Sequence, residues 1–159
     1  MMKTTEEWFA DYNESHQNPT NKSIHWVCVP AILFSIIGMI MHFSALLTAL
    51  LIVLTMVFYT RLDLVLAVAM AALLAVMVSL VIILPKSLGF YIGLFVVAWI
   101  GQFYGHKVEG KKPSFFTDLQ FLFIGPAWCM DGWLSKWSSK WKTRNPAKKV
   151  HLTLLSSAS

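Results

Sequence analysis

Charged side chains are scarce in this sequence: Asp, Glu, Lys and Arg make up 13% of its 159 residues, against 57% for the hydrophobic types. Soluble domains carry about 25% charged residues, so the composition argues against an ordinary soluble protein. The mean hydropathy of +0.61 points the same way. We therefore expect an integral membrane protein, of a length that suits a single domain.

Cysteine is also scarce, and Cys28 and Cys129 each lie inside an apolar segment without a Cys-x-x-Cys partner. This pattern excludes a disulfide framework and a zinc ribbon. The head of the chain, residues 1–23, is acidic and lacks the apolar run of a cleavable signal peptide. We therefore expect membrane insertion to begin with the first true span.

The formal net charge of +5 does not indicate a nucleic-acid partner. Six of the thirteen Lys and Arg residues lie between Lys136 and Lys149, after the last apolar run. Such a basic segment beside a membrane span is typical of an orientation signal or a contact with membrane lipids. We expect no nucleic acid to bind.

The apolar runs predict an all-α membrane protein with four transmembrane helices, each close to the length of about 20 residues that a bilayer requires. The predicted spans are residues 26–42, 44–60, 64–84 and 88–104. A short amphipathic helix, residues 5–15 with Thr5 as its N-cap, precedes them, and Asn18-Pro19 forms a turn. A fifth apolar segment, 119–134, is too short to span and is expected to be re-entrant or interfacial. Residues 1–134 form one membrane domain, and 135–159 form a basic polar tail.

Positive charge near the spans predicts the orientation. A cytoplasmic head and 105–118 loop place Lys and Arg residues inside against Lys86 alone outside, as the positive-inside rule favours. The expected location is the bacterial inner membrane, or the endoplasmic reticulum in a eukaryote. His16, His25 and His106 then share the cytoplasmic face, whereas His42 lies on the opposite face.

These three histidines predict a metal site. His16 and His25 belong to a His-x4-Asn-x3-His pattern around Asn21, and iron(II) and zinc both accept imidazole. Glu109 follows His106 by three residues, so it would share a helical face, where it would bind the metal or orient a ligand. A plain salt bridge with Lys107 or Lys111 is the simpler alternative.

Three polar residues near the histidines, Tyr12, Asn21 and Gln102, are candidates for hydrogen bonds to a ligand or a substrate. Each has an ordinary structural alternative: Tyr12 suits an interfacial aromatic belt, and Gln102 suits a hydrogen bond between helices. The sequence leaves both roles open for these residues.

The pattern Tyr12-x3-His16-x4-Asn21-x3-His25-x4-Pro30, with the blocks at 98–106 and 109–113, resembles a membrane family of 2-hydroxy fatty acid dioxygenases. The resemblance covers about residues 5–134. It implies an iron(II)-dependent α-oxidation that uses O2 to shorten a 2-hydroxy fatty acid by one carbon. His16, His25 and His106 match the family's histidines. Cys28 stands where a Gly is usual, and Glu109 is one residue nearer the histidine than in the characterised fungal member, so the resemblance carries no ligand role to Glu109.

The alternative to this enzyme is a non-catalytic membrane protein that binds lipid or assists assembly and holds a structural metal. A di-iron hydroxylase or desaturase is excluded because the five histidines form no HxxxH or HxxHH box. A channel or transporter is disfavoured because the spans lack polar residues at mid-membrane; residues 64–84 offer only Ser79.

Overall fold

Six α-helices make up most of the described chain. The structure is a computed structural model that describes residues 4–84, 87–110 and 121–137, and no β-strand occurs in these ranges. The helices are α1 (Thr5–Glu14), α2 (Pro19–Phe43), α3 (Ala45–Leu62), α4 (Leu64–Ile83), α5 (Leu88–Glu109) and α6 (Ile124–Trp137). The predicted all-α fold is confirmed.

Four of these helices, α2 to α5, are long and apolar enough to cross a membrane, which confirms the predicted number of spans. Single residues connect three of them. Ser44 accepts a hydrogen bond from Leu47 N at 3.1 Å and so caps α3, while Asp63 caps α4 through Leu66 N at 2.9 Å. A one-residue connection makes the two helices that it joins antiparallel and adjacent, because a single residue is too short to reach a distant position in the bundle.

The starts of the first two helices differ from the sequence predictions. Thr4, not Thr5, is the N-cap of α1, and it forms a capping box with Glu7. Helix α2 begins at Pro19 rather than at residue 26, because Asn18 caps it by accepting from Thr20 N at 2.8 Å. His25 therefore lies in the second turn of a helix and not in a loop.

The C-terminal end of α5 also lies beyond its predicted position. The helix continues past Tyr104 to Glu109, and Gly110 ends it in the left-handed conformation with φ of 75°. Glycine adopts this conformation without the steric cost that a Cβ imposes. His106 and Glu109 are therefore on the same helix, as the prediction required.

Helix α6 replaces the predicted 119–134 segment and extends three residues beyond it, into the predicted tail. Its 14 residues measure about 21 Å, shorter than a hydrocarbon core of about 30 Å. It packs against α1, α2 and α4, with Ile124, Ala127 and Cys129 buried. The described residues exclude Pro85, Lys86, 111–120 and 138–159, so the rest of the basic tail, with His151, is outside them.

One end of the bundle gathers α1, α6, the start of α2 and the ends of α3 and α5. Thr5 Oγ1 donates to Leu62 O at 3.0 Å, and Tyr59 OH donates to Phe123 O at 2.6 Å. This is the end at which His16, His25 and His106 lie. His42 is 17 residues after His25 on the same helix, about 25 Å away.

Candidate metal centre

Three buried histidines from three different elements meet in the described structure. His16 comes from the α1–α2 linker, His25 from α2 and His106 from α5, and each is at most 3% exposed. One ring nitrogen of each lies within 4.8 Å of the other two. Such a spacing lets three imidazoles share a single ion.

The orientation of two of these rings is fixed by backbone carbonyls. His16 Nδ1 lies 2.5 Å from Tyr12 O, and His25 Nδ1 lies 3.0 Å from Asn21 O. Because a carbonyl only accepts, Nδ1 carries the proton in both rings and Nε2 carries the lone pair. This arrangement is the one found around histidines that ligate metals, and the three-imidazole set fits iron(II) as well as zinc.

An aromatic wall closes one side of the centre. The Tyr12 ring stacks on His16 with a centroid distance of 4.1 Å and an interplanar angle of 6°. The Trp128 ring lies 5.1 Å from Tyr12 and 5.6 Å from His16, and its Nε1 donates to Asn13 Oδ1 at 2.9 Å. Helix α6 therefore helps to hold His16 in place, and no pattern in the sequence predicts this role for Trp128.

Glu109 ties the α1–α2 linker to the end of α5. Its carboxylate accepts hydrogen bonds from Gln17 N at 2.8 Å, Asn18 N at 2.9 Å and Asn21 Nδ2 at 3.0 Å. The two backbone donors lie at the start of α2, where a helix dipole favours negative charge. Among the described residues, the group able to hold an ion consists of the three histidines and does not include Glu109.

Asn21 links the same linker to the His25 helix. Its side chain is fully buried, and Nδ2 donates to Ser15 O and to Glu109 Oε2, both at 3.0 Å. A Cβ at Gly105 would overlap Asn21 Oδ1 and would lie 3.3 Å from His25 Cε1. The approach of α2 to α5 at this level therefore depends on a glycine.

Gly101 forms a second close approach one turn earlier, since a Cβ there would lie 2.6 Å from Cys28 Sγ. Gly101 and Gly105 thus form a Gly-x3-Gly pair, a spacing typical of closely packed membrane helices. This spacing is visible in the sequence and is the signal that could have predicted the close approach of α2 and α5.

Gln102 and Tyr12 both line a small cavity beside the histidines. Gln102 is 6% exposed and lies within hydrogen-bonding reach of the His25 side chain. The cavity measures about 20 Å³, enough for one water molecule. All seven residues singled out from the sequence therefore lie at one end of the bundle.

Cys129 is close to the centre but does not belong to it. Its thiol donates to His25 O at 3.7 Å, and burial raises the pKa of that thiol. Because the thiolate is the form that binds metals, Cys129 acts as a packing residue.

The comparisons with known proteins agree with this geometry. A family model described as "2-hydroxy-palmitic acid dioxygenase Mpo1-like" matches residues 2–137. The chain belongs to the Mpo1-like family. It is also 36% identical over 133 residues to the 2-hydroxy-palmitic acid dioxygenase MPO1 of Saccharomyces cerevisiae, covering 79% of this chain and 76% of that protein. No solved structure matches.

The Mpo1-like match includes all six helices and ends at Trp137, the last residue of α6. It therefore contains the three histidines together with Tyr12, Asn21, Gln102 and Glu109. The resemblance drawn from the sequence is confirmed at the level of the family.

Proposed function

We propose that this protein is an iron(II)-dependent dioxygenase that removes one carbon from a 2-hydroxy fatty acid. The observation that carries the proposal is the group of three buried histidines within a chain of the Mpo1-like family. In the overall balance, R–CH(OH)–COOH and O2 give R–COOH, CO2 and water. The hydroxyl-bearing carbon is oxidised and its bond to the carboxyl carbon is broken.

The metal would be held by His16, His25 and His106. Bound iron(II) would activate dioxygen, and the four electrons that reduce O2 would come from the substrate. Tyr12 O and Asn21 O keep the Nδ1 protons of His16 and His25 in place, so the rings remain neutral and correctly turned.

Tyr12 and Gln102 are the candidates for contact with the polar head of the substrate. Both line the small cavity beside His25, where a hydroxyl or carboxylate needs hydrogen-bond partners once it leaves water. Asn21 and Glu109 act as positioning residues, because their side chains bind the α1–α2 linker that carries His16.

The site is proposed to face the cytoplasm, as the positive-inside rule favours. Lys22 lies one residue after Asn21, and Lys107 lies one residue after His106. Their charges would attract a fatty-acid carboxylate to this end of the bundle. The four apolar helices support a site beside membrane lipids.

Metal content and oxygen uptake of the detergent-purified protein test the proposal. We expect one iron per chain and O2 consumption on addition of 2-hydroxypalmitate, with palmitate as the control substrate. The His25→Ala variant should lose both signals. Bound metal without any oxygen uptake would instead support the non-catalytic reading, a lipid-binding or assembly protein with a structural metal.

A further inference from the structure

An apolar cavity of about 240 Å³ lies inside the bundle, between α2, α3 and α4. Helix α2 lines it with Leu33, Ile36 and Ile40, and α3 lines it with Thr48, Leu51 and Tyr59. It is more than ten times larger than the small cavity beside the histidines.

The polar groups in the wall of this cavity are already hydrogen-bonded to carbonyl groups. Thr48 Oγ1 donates to Ser44 O at 3.0 Å, and Thr55 Oγ1 donates to Leu51 O at 2.8 Å. Tyr59 OH donates to Phe123 O at 2.6 Å. A ligand inside the cavity therefore meets hydrocarbon, so the cavity selects for an apolar ligand.

Leu122 borders both cavities, because it lines the large one and also the small one beside Tyr12 and Gln102. The two cavities also follow one another along helix α2. Val29 and Ile32 line the small cavity, and Leu33 is the first α2 residue of the large one. A ligand with its head at the small cavity would therefore reach the apolar space by passing Leu122.

The length of the large cavity suits one acyl chain. On α3 its lining runs from Tyr59 to Thr48, which are eleven positions or about 16 Å of helix apart. A hydrocarbon core is about 30 Å thick, so the acyl chains of one leaflet reach about 15 Å. Thr48 is the α3 lining residue nearest the α2–α3 turn, and it is 3% exposed.

The cavity is also open at the protein surface. Leu51 and Phe123 belong to its wall and are 39% and 48% exposed. With α2 to α5 in a bilayer, a fatty acid dissolved there would reach the cavity from the side, without passing its hydrocarbon chain through water.

We propose that the acyl chain of the substrate occupies this cavity and that Thr48, at its far end, limits the chain length accepted. The inference rests on the proposed function for the identity of the head group. It adds that selectivity for the length of the acyl chain resides in α2 and α3, far from the candidate metal centre.

The test is the chain-length profile of the Thr48→Phe variant. We expect kcat/KM for 2-hydroxystearate and 2-hydroxypalmitate to fall roughly tenfold or more, as for a pocket that loses room for methylene groups, while 2-hydroxyoctanoate is still turned over. Val53→Phe is the matched control, because Val53 is on the same helix and 58% exposed to the lipid side. An unchanged profile in Thr48→Phe overturns the proposal, and Thr48→Leu repeats the test with a smaller side chain.

A second measurement on the wild-type chain needs no turnover. A 2-hydroxypalmitate carrying a photoreactive diazirine at its terminal carbon should label residues near Thr48 or Ile40, and 2-hydroxyoctanoate should compete weakly. Labelling confined to α5 or α6 would contradict the proposed cavity. If the protein consumes no oxygen but the label maps to Thr48, the dioxygenase proposal fails and the acyl-chain cavity stands.

Discussion

At the scale of single residues, Gly105 controls how closely α2 approaches α5. We expect Gly105→Ala to lower the free energy of unfolding by roughly 1–3 kcal/mol, as overpacked cores do, because the added Cβ overlaps Asn21 Oδ1 and crowds His25. Metal content should fall with it. Thermal unfolding by circular dichroism and metal analysis on the same sample measure the two effects.

Gly93→Ala is the control for that change. Gly93 is on the same helix, and a Cβ there would meet no atom within 4 Å. Alanine has the higher helix propensity, so this variant should be equal to wild type or more stable by up to about 1 kcal/mol. Equal effects of the two substitutions would show that α5 is sensitive to any alanine and that Gly105 has no special contact.

Glu109 is a second residue with a testable role: its replacement should displace the linker that carries His16 while the protein stays folded. The Glu109→Gln variant keeps one acceptor oxygen but loses the charge and the second acceptor, so the linker that carries His16 should loosen. We expect metal affinity to fall by roughly tenfold, the lower range for residues that orient metal ligands.

Glu14→Gln is its matched control, since Glu14 is an exposed acid at the end of α1. Competition with a chelator gives the affinity, and circular dichroism checks that both variants are folded. An unchanged affinity in Glu109→Gln would mean that the linker keeps its position without the carboxylate.

At the scale of helices, the length of α2 keeps His42 far from His25. His42→Ala should leave bound metal and oxygen uptake nearly unchanged, because His42 is about 25 Å from the candidate centre. His25→Ala should remove both. If His42→Ala strips the metal from a folded protein, the assignment of the two ends is wrong.

The sequence predicted the number of spans because the length of an apolar run is a direct requirement of the bilayer. It did not predict where α2 begins or where α5 ends, since hydropathy marks the lipid boundary and a helix can continue beyond it. Residues 19–25 are mostly polar, yet they form the first turns of α2, because Asn18 is the N-cap of this helix. His25 was therefore expected just before the first helix of the membrane, although it belongs to α2.

The histidines were predicted as a group because topology alone places them on one face. The contacts that hold them in place were not, because these contacts join distant parts of the chain. Trp128 reaches Asn13 from 115 residues away, and Glu109 reaches Gln17 from 92 residues away. No local pattern in the sequence carries such pairings.

At the scale of the whole molecule, four antiparallel spans predict which loops share a membrane face. We expect cysteines placed at Lys22 and Lys107 to react with an impermeant reagent from the same side, and a cysteine at His42 to react from the other. The background variant replaces Cys28 and Cys129 with alanine. Labelling of Lys22 and Lys107 positions from opposite sides would contradict both the topology and a shared metal site.

The most direct test of the central claim is reconstitution of the apoprotein with either iron(II) or zinc, under air and under nitrogen. Three imidazoles suit both ions, so the choice of metal has to come from the reaction. We expect 2-hydroxypalmitate to be shortened by one carbon only with iron(II) and only in air, with one O2 consumed for each CO2 released. Equal activity with zinc, or product formed under nitrogen, would contradict the dioxygenase account.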